Sequence, residues 1–383
     1  MDVVQACRSA QSSAVDAAVA VREFHAGVVQ PDMSAVIFFC SSHYDLDVLA
    51  AEMRASFPGV TVVGCTTAGE IGPLGYREWS LVGASFASAH FSIHAGLLGG
   101  LADFDLDAGR RFAYSLYDAL EVRDGGRRNG FALMLVDGLS VREELVARAF
   151  QDGIGNLPLV GGSAGDDLRF ARTQVYFDGA FHEDAAALVV AHTDCPVHVF
   201  KTQHFECLDE RLVVTAADAG QRIVKEINGL PAASEYARIA GVRVEDLRPD
   251  AFAAVPVVVV INGSDYVRSI RSVNPDGSLT FYCAIEEGLV FRVARATDLL
   301  ADVQQTFQGI RDALGEPQLT LGFDCVLRNL EMRQRGVKPV VDETYRQAHC
   351  VGFCTYGEQF WGVHVNQTLT GLAIGEYRAV GHD

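Results

Sequence analysis

Apolar and polar residues follow two patterns along the chain, and both occur in its first quarter. Residues 35–40 and 60–63 are short apolar runs rich in strand-forming side chains, and residues 48–57 between them have helical spacing. This order predicts a β-α-β unit with parallel strands. Over 175–203, apolar runs are joined by short Gly/Asp turns, which indicates antiparallel pairing. The sequence therefore predicts a mixed α+β (α/β) fold, with β-sheets packed against flanking helices.

The second half of the chain continues the alternation of helices and strands. A helical pattern is predicted over residues 217–240, strands follow it, and another helix is predicted over 297–314. A length of 383 residues suits two domains of ordinary size. The change of pattern places the boundary near 217–229, so we expect one domain over 1–220 and a second over 221–383.

A short turn pattern occurs three times, each time after an apolar run. It reads V-G-C-T-T-A-G-E over 63–70 and V-G-F-C-T-Y-G-E over 351–358, with a shorter copy, V-G-G-S-A-G-D, over 160–166. Glycines allow positive φ angles at strand ends and hydroxyl groups cap backbone amides, so each copy is explained by a turn alone. Three copies also favour internal duplication, with related halves that frame a shared cavity. On that interpretation the ligand-binding candidates are the hydroxyl and acidic residues of the turns: Thr67, Glu70, Ser163, Asp166, Thr355 and Glu358.

The charge balance limits the classes of partner. Lys and Arg number 31 and Asp and Glu number 49, which gives a formal net charge of −18. A field of that sign repels phosphate backbones and anionic membranes, so neither nucleic acid nor a membrane is expected as a partner. The amino terminus lacks the pattern of a signal peptide, and the longest apolar run, 255–261, is too short to span a bilayer. We therefore expect a cytoplasmic protein.

The shorter copy of the turn also satisfies a motif of serine hydrolases. Residues 161–165 read G-G-S-A-G, which fits G-x-S-x-G with Ser163 as the nucleophile. That chemistry requires the serine on a strand-to-helix turn, whereas residues 166–175 run quickly into another predicted strand. A hydrolase is therefore the least favoured function, and we expect the protein not to be an enzyme.

Histidines and cysteines supply candidates for a cofactor or a metal. His204 leaves a predicted strand beside Phe205, and His364 lies on a strand near the last turn, so either is a candidate axial ligand for haem. The alternative for each is an ordinary hydrogen-bonded histidine. Cys350 and Cys354 could share a metal or form a redox pair on one helical turn. On the predicted strand they would lie about 13 Å apart, which favours separate thiols.

The order of these motifs resembles the FIST family. The three turns, together with Y-F-D-G over 176–179, E-I-N-G-L-P-A-A over 226–233 and H-V-N-Q-T over 364–368, are similar to N-terminal and C-terminal FIST domains in tandem. The resemblance extends over nearly the whole chain. It implies a sensory protein without catalytic activity that works with a bacterial histidine kinase or a cyclic-di-GMP enzyme and binds small ligands such as amino acids.

One branch of the family binds haem and senses nitric oxide, and the two-domain layout of this chain is similar to that branch. The resemblance implies haem as a cofactor, for which local chemistry makes His204 the first candidate ligand and His364 the second. It also favours Cys350 and Cys354 as a zinc or redox site. Two hypotheses follow: a haem-based nitric-oxide sensor that regulates a kinase or a cyclic-di-GMP pathway in biofilm control, and a haem-free module for an amino-acid-like ligand. A homo-oligomer is compatible with either.

Overall fold

The computed structural model describes residues 5–121, 127–261 and 264–377. Its mixed sheets and flanking helices confirm the predicted fold class. A first unit runs in the order β-α-β-α-β-β-β-β: β1 (Cys7–Ser12), α1 (Ala17–Val28), β2 (Met33–Ser41), α2 (Leu46–Ser56), β3 (Thr61–Thr67), β4 (Glu70–Gly72), β5 (Gly75–Arg77) and β6 (Leu81–Ala87).

A second unit has the same order of elements. It consists of β7 (Phe91–Gly99), α3 (Leu106–Glu121), β8 (Asn129–Val136), α4 (Glu143–Ile154), β9 (Leu159–Ser163), β10 (Val175–Phe177), β11 (Ala180–His182) and β12 (Ala185–Thr193). The β8 and β9 strands are parallel, as are β2 and β3 in the first unit.

A third unit begins with β13 (Val197–Thr202) and is interrupted by an inserted segment. The inserted segment contains β14 (Phe205–Asp218), β15 (Ile223–Ile227), β16 (Leu230–Pro231), α5 (Ala232–Ala240), α6 (Pro249–Ala254), β17 (Val257–Ile261), β18 (Ser264–Arg268), β19 (Ile270–Val273), β20 (Leu279–Phe281) and β21 (Val290–Ala296). The third unit then resumes with α7 (Leu299–Leu314), β22 (Leu319–Cys325), α8 (Val326–Gln334), α9 (Lys338–Gln347), β23 (Cys350–Thr355), β24 (Glu358–Phe360), β25 (Val363–Val365) and β26 (Leu369–Ile374).

The three units build three six-stranded sheets by a cyclic exchange of hairpins. The strand orders are β1-β6-β2-β3-β10-β11, β7-β12-β8-β9-β24-β25 and β13-β26-β22-β23-β4-β5. Each unit therefore supplies the first four strands of its own sheet and a terminal hairpin to another sheet. The internal repetition expected from the turns is confirmed, but it has three members instead of two halves.

The three sheets share one central core. Their inner faces contribute Phe39 from β2, Leu133 from β8 and Phe323 from β22 to a single buried cluster, and the Phe39 and Phe323 rings are 6.1 Å apart. The outer face of each sheet is covered by the helices of its own unit. Because the central strands are buried on both faces, they appear in the sequence as continuous apolar runs.

The inserted segment forms a fourth sheet with its own core. The predicted domain boundary at 220/221 falls between two paired strands of this sheet, β14 and β15.

The helix predicted over 217–240 is wrong in its first half, which contains β15. Asn228 and Gly229 have φ angles of 55° and 76°, as in a two-residue hairpin turn, so β15 turns back into β16. The helix begins only at Ala232.

Candidate functional site

The three repeated turns lie together, where β3, β9 and β23 end. The Ser163 amide donates to the Gly357 carbonyl at 2.8 Å, and the Gly165 amide donates to the Thr66 carbonyl at 3.0 Å. The Ala68 amide donates to the Cys354 carbonyl at 3.1 Å, so every turn is hydrogen-bonded to another unit. The three turns therefore lie together in the structure, and the ligand-binding role expected for their side chains stays a prediction.

The glutamates of the first and third turns have matching partners. Thr67 donates to one oxygen of Glu70, and the other oxygen accepts from the Ser80 hydroxyl at 2.8 Å. In the third unit Thr355 donates to Glu358, whose second oxygen accepts from the Thr368 hydroxyl at 2.7 Å.

Both glutamates are fully buried, and burial raises the pKa of each carboxyl to about 8. The hydrogen bonds of each carboxyl come from groups of its own unit. This geometry favours a structural role, in which the carboxyl stabilises the turn, and disfavours direct contact with a ligand.

The acid of the second turn is bonded differently. Asp166 accepts hydrogen bonds from the backbone amides of Phe170, Ala171 and Arg172 at 2.9, 2.7 and 2.8 Å, and also from the Tyr356 hydroxyl. These bonds fold the loop between β9 and β10 against the third turn. The consequence is that Phe170 stacks on Tyr356, with ring centroids 4.7 Å apart.

Ser163 lies in a setting that does not match a hydrolase nucleophile. Its hydroxyl accepts from the Gln359 side chain at 3.3 Å and is completely buried. The strand that carries it leads into a loop and then β10, without the helix that a nucleophile elbow requires. Gln359 lies between Ser163 and His364, so no described histidine bonds to the serine as a base.

His204 is part of a buried polar network. One ring nitrogen is 2.9 Å from a Glu331 carboxylate oxygen, and the other is 3.0 Å from the Arg328 guanidinium. Arg328 in turn donates to Asp324 at 2.8 Å. Burial lowers the pKa of His204, which favours a neutral ring. Both ring nitrogens have partners, so this conformation leaves neither free to ligate haem iron.

His364 is buried among polar groups with few partners. Its Nδ1 lies 3.0 Å from the Gln359 amide, while its Nε2 and both side-chain polar atoms of Asn366 and Gln367 have no described partner. Burial lowers the pKa of His364 to about 4. The ring packs so tightly on Gly357 that a Cβ there would lie 2.1 Å from it. The surroundings of His364 do not fit a haem in this conformation.

Cys350 and Cys354 lie on one strand, β23, as the sequence pattern predicts. Both are fully buried, and burial raises the pKa of each thiol well above its usual value. Cys350 faces Gly322, whereas Cys354 lies near Gly69 and the Asn329 amide. Neither belongs to a cluster of three potential metal ligands in the part of the chain that the structure describes.

A cavity of about 330 Å³ opens beside the stacked Phe170 and Tyr356 rings, and we call it the arginine pocket. Residues 138–142, Phe170 and Tyr356 form one wall, and the inserted sheet supplies the other, including Arg222, Arg271 and residues 280–282. The pocket therefore lies between the three-unit body and the inserted sheet. Its size lies at the lower end of the range of small-molecule sites.

The three arginines of this pocket have different partners. Arg222 donates to Glu143 and, at 2.8 Å, to Glu144. Burial opposes ionisation of Glu144, but Arg222 outweighs it and lowers the pKa of that carboxyl to about 2. Arg142 donates only to backbone carbonyls, and the Arg271 guanidinium lies 4.6 Å from the centre of the Phe170 ring. Neither Arg142 nor Arg271 pairs with a carboxylate among the described residues.

The backbone at the arginine pocket is strained at three positions. Val141, Phe170 and Arg222 have φ angles of 59°, 50° and 58°. A positive φ is costly for any of these side chains, above all for a β-branched valine. Such strain persists only where surrounding contacts hold it, and it concentrates at ligand clamps. A larger cavity of about 740 Å³ lies at the other end of the second unit, where Glu121 and Arg127 are part of its lining.

Sequence reasoning missed every arginine of this pocket. Arg142 and Arg271 are far apart in the sequence, and no motif links them. The available signal was the acidic turn residue Asp166, followed four residues later by the aromatic residue Phe170, which lines the pocket. The predicted Asp166 is thus adjacent to the site but positions the loop instead of lining the cavity.

A concave site with cationic and aromatic walls between two packed parts is typical of small-molecule binding modules. The FIST N domain matches residues 34–230 and the FIST C domain matches residues 232–361, so the chain belongs to the FIST family. These domains make the protein a sensory or signal-transduction module. A search of curated proteins found no match. Within the described residues, no helix is long and apolar enough to cross a membrane.

Proposed function

We propose that this protein is a sensory module that binds a small anionic molecule with a flat apolar part in the arginine pocket. The observation that carries the proposal is the pair Arg142 and Arg271, which lack carboxylate partners among the described residues although the chain has a net charge of −18. A guanidinium binds carboxylates and phosphates in a planar, two-point geometry. The stacked Phe170 and Tyr356 rings offer a surface for the apolar part.

An amino-acid-like ligand satisfies these requirements best. Its carboxylate would contact Arg142 or Arg271, and its side chain would lie against the Phe170 and Tyr356 rings. The cavity of about 330 Å³ suits a molecule of that size. This is the haem-free hypothesis of the sequence analysis, with the ligand placed beside the second and third turns instead of on the Thr and Glu side chains.

Signal transmission would use the two walls of the arginine pocket. A ligand that contacts both the loop 138–142 and the inserted sheet changes the free energy of their packing. Such a change alters a partner only if bound and free states differ in partner affinity. We propose a histidine kinase or a cyclic-di-GMP enzyme as that partner, toward whose basic surface the acidic protein would be attracted.

A thermal-shift screen tests the binding proposal. Amino acids, other carboxylates and small phosphates are added to the full chain, and a ligand that binds only the native state raises Tm. We expect Arg142→Gln and Arg271→Gln to lose the shift and Arg346→Gln to keep it, since Arg346 pairs with Glu343 on the surface of α9. Absence of any shift, or equal shifts in all three variants, would contradict the proposal.

Haem binding with nitric-oxide sensing is the function that the family resemblance implies, and it stays a prediction. It requires His204 to leave Glu331 and Arg328, or His364 to move away from Gly357. Titration of the full chain with haem tests it through a Soret band that shifts with nitric oxide and changes in His204→Ala or His364→Ala. Lack of stoichiometric haem uptake would reject it.

We further propose that the protein has no hydrolase activity. The support is the burial of Ser163 and its hydrogen bond with Gln359 in place of a histidine. A fluorophosphonate probe tests this directly. Labelling that disappears in Ser163→Ala would overturn the proposal.

A further inference from the structure

A group of side chains with metal-ligand chemistry lies at the opposite end of the second sheet from the arginine pocket. Asp194 and Cys195 follow the end of β12, next to the start of β8, whereas the pocket lies beyond the end of β8. His90 comes from the turn between β6 and β7. One ligand atom from each of His90, Asp194 and Cys195 lies within 4.8 Å of the other two.

Two of the three distances between the ligand atoms of this group are close to those of a tetrahedral coordination sphere, and the third is within 4.8 Å. The His90 Nδ1 atom lies 3.0 Å from Asp194 Oδ1, which lies 3.7 Å from Cys195 Sγ. Zinc bonds of about 2.0–2.3 Å at tetrahedral angles place neighbouring ligand atoms about 3.3–3.7 Å apart. A metal ion therefore requires only small side-chain adjustments.

Hydrogen bonds from neighbouring residues position the backbone of Cys195. The Cys195 amide donates to Thr193 Oγ1 at 3.0 Å, and the Asn129 side chain donates to the Cys195 carbonyl at 2.9 Å. Cys195 is fully buried, and the Gln318 side-chain amide lies 3.7 Å from its sulfur. The Asp194 side chain is 31% exposed, which leaves an open side for water as a fourth ligand.

The site also occupies a special place in the repeated architecture. His90 lies in the connection from the first unit to the second, and Asp194 and Cys195 lie in the connection from the second to the third. Tyr377, which follows the last strand of the third unit, packs its ring 5.0 Å from the His90 ring. The ends of all three units therefore meet at this group.

We propose that His90, Asp194 and Cys195 bind a zinc ion, which cross-links the connections between the three units. A thiolate, an imidazole and one carboxylate form a donor set that suits Zn²⁺ and does not suit Ca²⁺ or Mg²⁺, which require several oxygen ligands. The competing explanation is a partly exposed His90–Asp194 ion pair beside a buried thiol.

Cobalt titration of the metal-stripped full chain distinguishes a zinc site from a His90–Asp194 ion pair beside a thiol. We expect one equivalent of Co²⁺ to produce a thiolate-to-metal charge-transfer band, which Zn²⁺ then displaces, and Zn²⁺ to raise Tm. Cys195→Ser should abolish the band, and His90→Gln should weaken zinc binding at least about tenfold. Cys350→Ser and Cys354→Ser serve as matched controls with buried thiols on β23 and should retain the band.

Three results would overturn the proposal. The first is the absence of a charge-transfer band in the wild-type chain. The second is an unchanged band and zinc affinity in His90→Gln. The third is loss of the band in the Cys350 or Cys354 variant with retention in Cys195→Ser, which would place the metal at the other cysteines. If Cys195→Ser fails to fold by circular dichroism, His90→Gln alone decides between the proposal and the ion pair.

Discussion

The first and third repeated turns differ from the second in what their acidic residue holds. Glu70 and Glu358 accept hydrogen bonds from Ser80 and Thr368 of their own units. Only two residues separate β3 from β4, and only two separate β23 from β24. In the second unit residues 164–174 separate β9 from β10, and Asp166 holds that loop against Tyr356. The arginine pocket therefore lies beside the one lengthened turn of the repeated architecture. We call the lengthened second turn the open turn and the first and third turns the closed turns.

At a fixed pH, the largest effect of a single substitution is expected from removing the acid of the open turn. In Asp166→Ala, three backbone amides and the Tyr356 hydroxyl lose a buried acceptor, each at a cost of about 1 kcal/mol or more. We expect the free energy of unfolding to fall by about 4 kcal/mol. Urea denaturation measures this, and the ligand-induced rise in Tm should disappear. A loss below about 1 kcal/mol would contradict the role assigned to Asp166.

The acids of the two closed turns should make the stability of the protein depend on pH. Burial raises the pKa of Glu70 and Glu358 to about 8 in the folded state, above the usual value of 4.5. The folded state then binds more protons than the unfolded state between these values, so stability falls as pH rises from about 4.5 to about 8. The expected loss is on the order of 5 kcal/mol per carboxyl.

Glutamine variants check this dependence. Glu70→Gln and Glu358→Gln cannot ionise, so urea unfolding of the double variant should depend less on pH than that of the wild type. Glu226→Gln, at an exposed position on β15, is the control and should leave the slope unchanged. If the double variant has the same slope as the wild type, the carboxyls are not protonated as proposed.

A smaller effect is expected at the contact between the open turn and the third turn. The Tyr356 hydroxyl donates to the Asp166 carboxylate and accepts from the Leu168 amide at 2.8 Å and the Asp166 amide at 3.2 Å. Tyr356→Phe removes all three bonds but keeps the ring that stacks on Phe170, so we expect a loss of about 2–3 kcal/mol in stability. Thermal unfolding measures it. A loss as large as that of Asp166→Ala would show that Tyr356, and not Asp166, holds the loop.

The smallest effect concerns the aromatic wall. Phe170→Leu keeps an apolar side chain but removes the ring that contacts Arg271 and Tyr356. A partly exposed cation–π contact contributes about 0.5–1 kcal/mol, so ligand affinity should fall about two- to fivefold. Isothermal titration calorimetry with a ligand identified in the thermal-shift screen measures this change. Unchanged affinity would exclude the ring from the binding surface.

Local signals predicted much of this structure and little of the site. The apolar runs identified β2 and β3, and the repeated turns indicated internal repetition, because both depend on neighbouring residues. The cyclic exchange of hairpins is a long-range pairing, such as Glu70 with Phe353, that no local pattern encodes. Arg142 and Arg271 meet only because a sheet is inserted into the third unit. The helical pattern over 217–240 is interrupted by Asn228-Gly229, a strong hairpin signal that outweighs it.

A crystal structure of the protein with a ligand from the thermal-shift screen tests the central claim most directly. The account predicts the anionic group of the ligand within hydrogen-bond distance of Arg142 or Arg271, and its apolar part against Phe170. Ligand bound instead in the larger cavity beside Tyr114 and His192, or haem bound at His204, would contradict it.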